Sequence, residues 1–329
     1  MTNEARSIAV VGANGRVARE VAKAFREARW RVRAVTRKGD CSVEGIENVK
    51  GDAYDAASLT AATEGFGFIF HGTSPAYTDW RDTVVPMLAS TLAAAKANGA
   101  TILFPGNVYN YGSEIPEHPN EDAQQVGNHE KARLRIQMES MLEDASRDGV
   151  RSVILRPGDF FGGEGRGSWF DLGLASKAAS GKVVWLAKGG IVHAWAYLPD
   201  LARAFVAAAE HADKLPAFVT FQFGGHNVTM EEMHSAMERA MGRPLQRSAF
   251  PWWMIQLAAP FVPMFREFVI MSYLWRRPHR LTDEKFETAI GPLPHAELDQ
   301  AVAAALRELG VKTVDGTTAE RAAFPTLAA

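Results

Sequence analysis

Residues 8–18, I-A-V-V-G-A-N-G-R-V-A, constrain this chain more than any other stretch. Ile8 to Val11 are apolar or small and suit a strand covered on both faces. Gly12, Gly15 and Ala18 follow, each three residues after the last. Gly12 lets the chain turn sharply off the strand. Gly15 leaves bare backbone at the turn, where a pyrophosphate can approach, and Ala18 lets the next helix sit close on the sheet. That helix, expected over residues 16–28, aims free N–H groups and the positive end of its dipole at the same spot. A glycine triplet alone also occurs in plain strand-to-helix turns. Here the strand before it and the helix after it supply the context of a dinucleotide fingerprint. Gly12, Asn14, Gly15, Arg16 and Val17 are therefore the expected contacts to a bound dinucleotide.

The next segments repeat the alternation. Residues 31–36, R-V-R-A-V-T, suit a second strand that ends at Arg37 and Lys38. An acidic residue at that tip would hold the ribose hydroxyls of NAD, whereas a guanidinium suits the 2′-phosphate of NADP. The tip thus favours NADP over NAD, with a solvated basic turn as the competing interpretation. A third strand over 48–52 places Asp52 and Ala53 at its end, and Asp55 is positioned to cap a helix over 56–64. A fourth strand over 66–70 opens into Gly72 and Thr73, small residues over which a cofactor would lie. A helix over 81–98, a fifth strand over 101–104 running into Pro105, a long helix over about 123–147 and a sixth strand over 151–155 running into Pro157 complete the pattern. Strands alternating with helices predict an α/β fold with a doubly wound parallel sheet of the Rossmann type.

Composition narrows the class. A chain of 329 residues fits one large or two ordinary domains, and 47% hydrophobic with 22% charged residues is the balance of a globular protein. A net charge of −2 leaves no broad basic field for nucleic acid. The single cysteine, Cys41, rules out an intrachain disulfide and a cysteine-rich zinc site, and no metal-ligand cluster stands out. No apolar leader precedes the first strand, so a cytoplasmic location is the expectation.

Beyond residue 160 the alternation changes. Glycines at 162, 163, 165 and 167 mark a loop, followed by an expected helix over 169–180 and short strands over 182–185 and 191–196. A helix over 201–211 is expected to return to the first domain, with a strand over 218–223 after it. Thr229 and Glu232 have capping-box spacing for a helix to about Met241, and a last helix is expected over 297–309. Residues 250–275 are rich in Trp, Phe, Met, Ile and Pro but are interrupted by Arg266, Glu267, Pro260 and Pro263, so they cannot span a bilayer. They suit a pocket wall or lid for an apolar substrate, the core of a small lobe, or an interfacial membrane patch. Arg276, Arg277 and Arg280 could attract an anionic group or form a solvated basic cluster. The expected division is a dinucleotide-binding domain over 1–163, joined again by 191–212, and a smaller discontinuous substrate lobe over 164–190 and 213–329.

Five stretches together resemble the extended or atypical short-chain dehydrogenase/reductase superfamily, in its NAD-dependent epimerase/dehydratase group. They are G-A-N-G-R-V-A, G-D after the third strand, F-P-G-N-V-Y-N-Y-G after the fifth, L-R-P-G-D-F-F-G after the sixth, and W-A-Y-L-P-D-L-A-R-A near residue 200. The resemblance implies a nicotinamide-dependent oxidoreductase acting on a carbonyl or hydroxyl of a small, apolar organic molecule. A sugar-nucleotide epimerase or dehydratase, and a non-catalytic NADP-binding redox sensor, are the alternatives. In that family a Tyr-x-x-x-Lys pair opens the long helix; the lysine lowers the tyrosine pKa and holds the nicotinamide ribose, and the tyrosine passes a proton. The matching run here is Gly127-Asn128-His129-Glu130-Lys131, with Lys131 in the lysine position and glycine in the tyrosine position. No other Tyr-x-x-x-Lys occurs in the sequence. Lys131 is either the ribose contact or a solvent-facing lysine. Asn107 falls where the family usually has a carbonyl-binding Ser or Thr. Tyr109 and Tyr111, on the loop after the fifth strand, and His129 and His193 are the substitute proton donors, with ordinary packing as the competing role. Family analogy also implies a homodimer through the helices at 81–98 and 123–147.

Overall fold

The apolar runs pair side by side. The computed structural model describes residues 6–314. Its first half runs β1 (Ser7–Val11), α1 (Arg16–Glu27), β2 (Arg31–Thr36), β3 (Glu47–Lys50), α2 (Ala56–Thr63), β4 (Phe68–His71), α3 (Trp80–Asn98), β5 (Thr101–Pro105), α4 (Glu130–Arg147) and β6 (Ser152–Pro157). The second half runs β7 (Asp159–Phe161), β8 (Lys182–Trp185), β9 (His193–Tyr197), α5 (Leu198–Glu210), β10 (Phe218–Phe223), β11 (His226–Val228), α6 (Met230–Met241), β12 (Gln246–Ala249), α7 (Trp252–Ala258), α8 (Pro263–Met271), α9 (Glu284–Ala289) and α10 (Leu298–Glu308).

Seven strands form one parallel sheet in the order β3-β2-β1-β4-β5-β6-β10. Side chains alternate across it. Ile8 and Val10 join the core under α1 and α5, while Ala9 and Val11 join the core under α2 and α3. In α1 the apolar positions Val21, Ala22 and Phe25 recur on one helical face and are fully buried. Burial of Phe25 alone contributes about 2–3 kcal/mol. Asp55 caps α2, accepting from the Ala57 and Ser58 amides at 2.9 and 3.2 Å, as its spacing predicts. The chain leaves β1 for β2 and β3, then returns to lay β4 on β1's other side. That reversal opens a crevice beyond the carboxyl ends of β1 and β4.

Beside the sheet, β7, β9 and β11 form a small sheet, β8 and β12 pair in parallel, and α6 packs on α10. These elements share a core that includes Trp195, Met233, Met237 and Leu306. No helix among the described residues is long and apolar enough to cross a membrane.

Three expectations are corrected. The long helix starts at Glu130 rather than near 123. The Val126 amide donates to the Asn110 carbonyl at 2.8 Å, and the Asn128 side chain accepts from the Ser113 amide and donates to its hydroxyl, which holds the preceding segment extended. His129 then caps the helix, its Nδ1 accepting from the Ala132 amide at 3.2 Å. The helix expected over 169–180 is replaced by two short turns, Phe170–Leu174 and Ala178–Ser180. Finally, Phe218–Phe223, on the lobe side of the expected boundary, is the edge strand of the central sheet beside β6.

Candidate active site

At the crevice three backbones meet. Gly12 has φ +73°, and a Cβ there would lie 2.8 Å from the Gly72 carbonyl oxygen. A Cβ on Gly72 would lie 2.6 Å from the Ala18 Cβ and 2.7 Å from the Val11 carbonyl oxygen. Glycine is required at both places, at Gly12 by conformation and at both by space. Gly15 caps α1 with φ −67°, so Arg16 and Val17 are its first residues and their N–H groups are among its free donors.

The crevice opens into a cleft of about 920 Å³. Gly12 and Asn14 line it at the turn, Arg37 and Lys38 at the end of β2, Asp52 and Ala53 after β3, and Thr73 after β4. Six of the expected cofactor contacts therefore share one wall: Gly12, Asn14, Arg37, Asp52, Ala53 and Thr73. The Thr36 hydroxyl accepts from the Gly39 and Asp40 amides, both at 3.0 Å, and fixes the loop that carries exposed Arg37. The Thr73 hydroxyl is 2.8 Å from His71 Nε2, and burial pushes the His71 pKa down to about 3. The Arg16 guanidinium is ion-paired with buried Asp171 and donates to the Gly162 carbonyl at 2.7 Å, so in this structure it points to the lobe.

The other half is built differently. Gly127 precedes α4, so it shares no helical face with Lys131. One turn on from buried Lys131, half-buried Arg135 shares its face of α4. Lys131 is only 2% exposed, which excludes the solvent-facing role. Its Nζ is ion-paired with Glu267 of α8 and lies 4.8 Å from the Tyr77 ring centroid. Arg135 donates to the Pro105 carbonyl at 3.0 Å and lies 4.9 Å from the Trp80 ring centroid.

The hydroxyls of Tyr77 and Tyr109 are 2.6 Å apart. Burial pushes Tyr77 up to about 12 and Tyr109 well above the usual phenol range, so both stay protonated at neutral pH. Tyr77 was not among the expected residues; the aromatic run Tyr77-Thr78-Asp79-Trp80 after the small-residue turn is its only local signal.

The remaining candidates lie in fixed hydrogen-bonded positions. Asn107 Oδ1 accepts from the Tyr109 amide at 2.9 Å. The Tyr111 hydroxyl donates to the Asn120 carbonyl at 3.0 Å and accepts from Arg156 and Gln222, above the buried Arg156–Glu139 pair. His129, neutral because burial pushes its pKa down to about 4, donates from Nε2 to the Tyr273 hydroxyl at 3.2 Å. His193 pairs with Asp159 at 2.7 Å and stacks on Trp275 at 4.2 Å. Pro157 is buried and pairs with Phe223 of the neighbouring strand. Tyr109, Lys131 and Pro105 are thus gathered around Tyr77 and Arg135, while Tyr111 and Pro157 belong to the packing behind them.

The glycine cradle fits a pyrophosphate, since its backbone approach leaves no room for side chains. The buried Lys131 ammonium already has a carboxylate counter-ion in Glu267.

Comparison with known proteins identifies the family and the fold. The model of the NAD dependent epimerase/dehydratase family matches residues 8–224. No curated protein matches the chain. Among solved structures, UDP-glucose 4-epimerase from Brucella ovis in complex with NAD is similar at 18% identity and TM-score 0.73, covering 94% of this chain and 99% of that one. A UDP-glucose 4-epimerase from Bifidobacterium longum in complex with NAD+ and UDP has 18% identity and TM-score 0.70, covering 92% and 97%. A putative epimerase from Burkholderia cenocepacia has 18% identity and TM-score 0.73, covering 92% and 98%. At this identity the structures establish a shared fold. On the family match across most of its length, the chain belongs to the NAD dependent epimerase/dehydratase family of the short-chain dehydrogenase/reductase superfamily.

Proposed function

We propose that this chain is a cytoplasmic NADP(H)-dependent oxidoreductase acting on a carbonyl or hydroxyl of a small apolar molecule. The cleft carries this proposal. It runs from the Gly12 turn to a rim where Arg37 directly follows β2, at the place where a carboxylate would hold the ribose of NAD. Gly12, Asn14, Gly15 and the first amides of α1 hold the pyrophosphate, and Arg37 holds the 2′-phosphate. Asp52, Ala53, Gly72 and Thr73 form the walls. Bound there, a nicotinamide supplies or takes up a hydride.

The chain's own part is placement and proton supply. Tyr77, Trp80, Tyr109 and Tyr273 make an aromatic surround that excludes water from the far end, which suits an apolar substrate better than a sugar. The Tyr77–Tyr109 pair is the proton source. An alkoxide is a far stronger base than a phenolate, so even a phenol of raised pKa donates to it. Lys131 reaches the ribose when Glu267 gives it up. Domains are assigned as expected from the sequence, with β10 moved to the nucleotide-binding part and β7 and β9 to the lobe, and α3 and α4 form a homodimer contact.

The Lys131–Glu267 pair favours a second proposal, a redox sensor that binds the dinucleotide without turnover. The solved UDP-sugar epimerases support a third, a sugar-nucleotide epimerase. Fluorescence titration with NADPH and NADH, then NADPH oxidation against aldehydes, ketones and quinones, with UDP-glucose tested for epimerisation, separates them. Turnover of an apolar carbonyl supports the oxidoreductase, and tight binding with no turnover selects the sensor. No association with either nucleotide overturns all three.

A further inference from the structure

We propose that the hairpin of α7 and α8 docks on an anionic membrane surface. The hairpin is apolar on its outside. In α7, Ile255 is buried, whereas Trp253, Met254 and Leu257 are 68%, 52% and 71% exposed. Those three lie within an arc of about 100° on the helix. Phe261, in the turn to α8, is 85% exposed, and Val262 and Ile270 are exposed beside it. Six of the nine large apolar side chains that are exposed among the described residues fall between 253 and 270. A helix that served only to cover the core would show the reverse pattern, and a contiguous apolar patch marks an interaction site.

Charge selects the occupant. Residues 250–272 contain two charged side chains, Arg266 and Glu267. Arg266 is exposed, while Glu267, the only acid, is turned inward onto Lys131. No carboxylate of this segment therefore faces outward. Exposed Arg276 and Arg277 follow directly after, and Arg277 lies 3.7 Å from Glu114 at the edge of the patch. Neither Arg266 nor Arg276 meets a carboxylate among the described residues. Tryptophan, phenylalanine and leucine beside unpaired arginine, with no acid, is the chemistry of an interfacial element that sinks into the headgroup layer of an anionic bilayer. The prolines at 251, 260 and 263 keep both helices short, so the hairpin lies in the interface and does not cross it. This inference stands on the surface alone and is independent of the reaction.

Vesicle flotation of the full chain tests it, with phosphatidylglycerol/phosphatidylcholine vesicles set against pure phosphatidylcholine. We expect flotation with the anionic vesicles and a blue shift in tryptophan emission. Leu257→Asp with Phe261→Asp is expected to lower partitioning by at least about tenfold. Arg266→Glu or about 0.5 M NaCl is expected to lower it several-fold. Both sites are exposed, so thermal melting of the double variant should match that of the parent. Failure to float with either vesicle overturns the proposal, as does flotation indifferent to the substitutions. Sedimentation that shows self-association dispersed by Leu257→Asp and Phe261→Asp also overturns it, in favour of a second copy on this face.

Discussion

The cleft and the cluster around Lys131 are made by different means. The turn at the cleft is backbone: Gly12, Gly15 and Gly72 bring main chains together, and the cleft beside them is open. The cluster is side chain against side chain. Lys131 meets Glu267, Tyr77 meets Tyr109, and Arg135 meets Pro105, each pair joining separate segments. A backbone site depends on a few small residues where main chains meet, here Gly12, Gly15 and Gly72. Side-chain sites need the whole fold in register and change character with one substitution.

Substitutions at the two places should therefore act differently, and the largest effect belongs to the backbone turn. Gly12→Val adds a left-handed strain of about 1–2 kcal/mol and sets a side chain against the Gly72 carbonyl. Dinucleotide binding should fall by on the order of a hundredfold or more in calorimetric titration. Retained binding would break the contrast outright. Glu267→Gln leaves Lys131 buried without its counter-ion and should cost about 3 kcal/mol in denaturant unfolding. Bound NADPH should then stabilise this variant more than the parent, because the ribose takes the place of the lost carboxylate. An equal gain in both proteins would place Lys131 outside the cofactor site.

Arg37→Glu should weaken NADPH binding by about 2 kcal/mol, or roughly thirtyfold, with NADH much less affected. Equal loss for both nucleotides would remove the 2′-phosphate assignment.

Acid tests a further contrast, since two histidines are buried and neutral. Burial lowers His71, beside the cleft, and His279, whose ring lies 4.5 Å from that of His193, from 6.5 to about 3. The unfolded chain takes up these protons below about pH 6.5 and the folded chain does not, so each contributes stability above that pH. As pH falls toward 3 the contribution is lost, at about 1.4 kcal/mol per pH unit for each group. Chemical denaturation between pH 7 and pH 4.5 should show the slope, and His71→Gln should flatten it. The smallest effect is that of Tyr77→Phe, which leaves the Tyr109 hydroxyl without its partner and should cost about 1 kcal/mol. Its turnover should drop while NADPH affinity holds; unchanged turnover would remove the pair as proton source.

What could be read from the sequence follows the same division. The Gly12 turn, the end of β2 at Thr36, the Asp55 cap and the Thr229–Glu232 capping box depend on neighbours within a few residues, and all formed as expected. The start of α4 lies seven residues later than expected, just past Gly127 and Asn128, which break the helical pattern locally. The extended path of the preceding segment is set by bonds to Asn110 and Ser113, more than ten residues away. Tyr77 and Glu267 were invisible as site residues for the same reason: their partners are 32 and 136 residues distant along the chain. The aromatic content of 250–275 was plain, but which face it would leave exposed depended on how α7 and α8 pack.

The pairing of Arg16 with Asp171 bears on how the molecule can open. Arg16 stands in the first turn of α1 and Asp171 in the Phe170–Leu174 turn that packs under β8. Asp171 also accepts from the Gly167 and Ser168 amides, at 3.1 and 3.0 Å, so the glycine-rich loop is strapped to the same point. The smaller body is riveted to the corner where the nucleotide phosphates would rest. A hinge swing of that body would have to tear out a buried ion pair, whereas lifting the hairpin would part Glu267 from Lys131 and Trp252 from the Leu186 carbonyl.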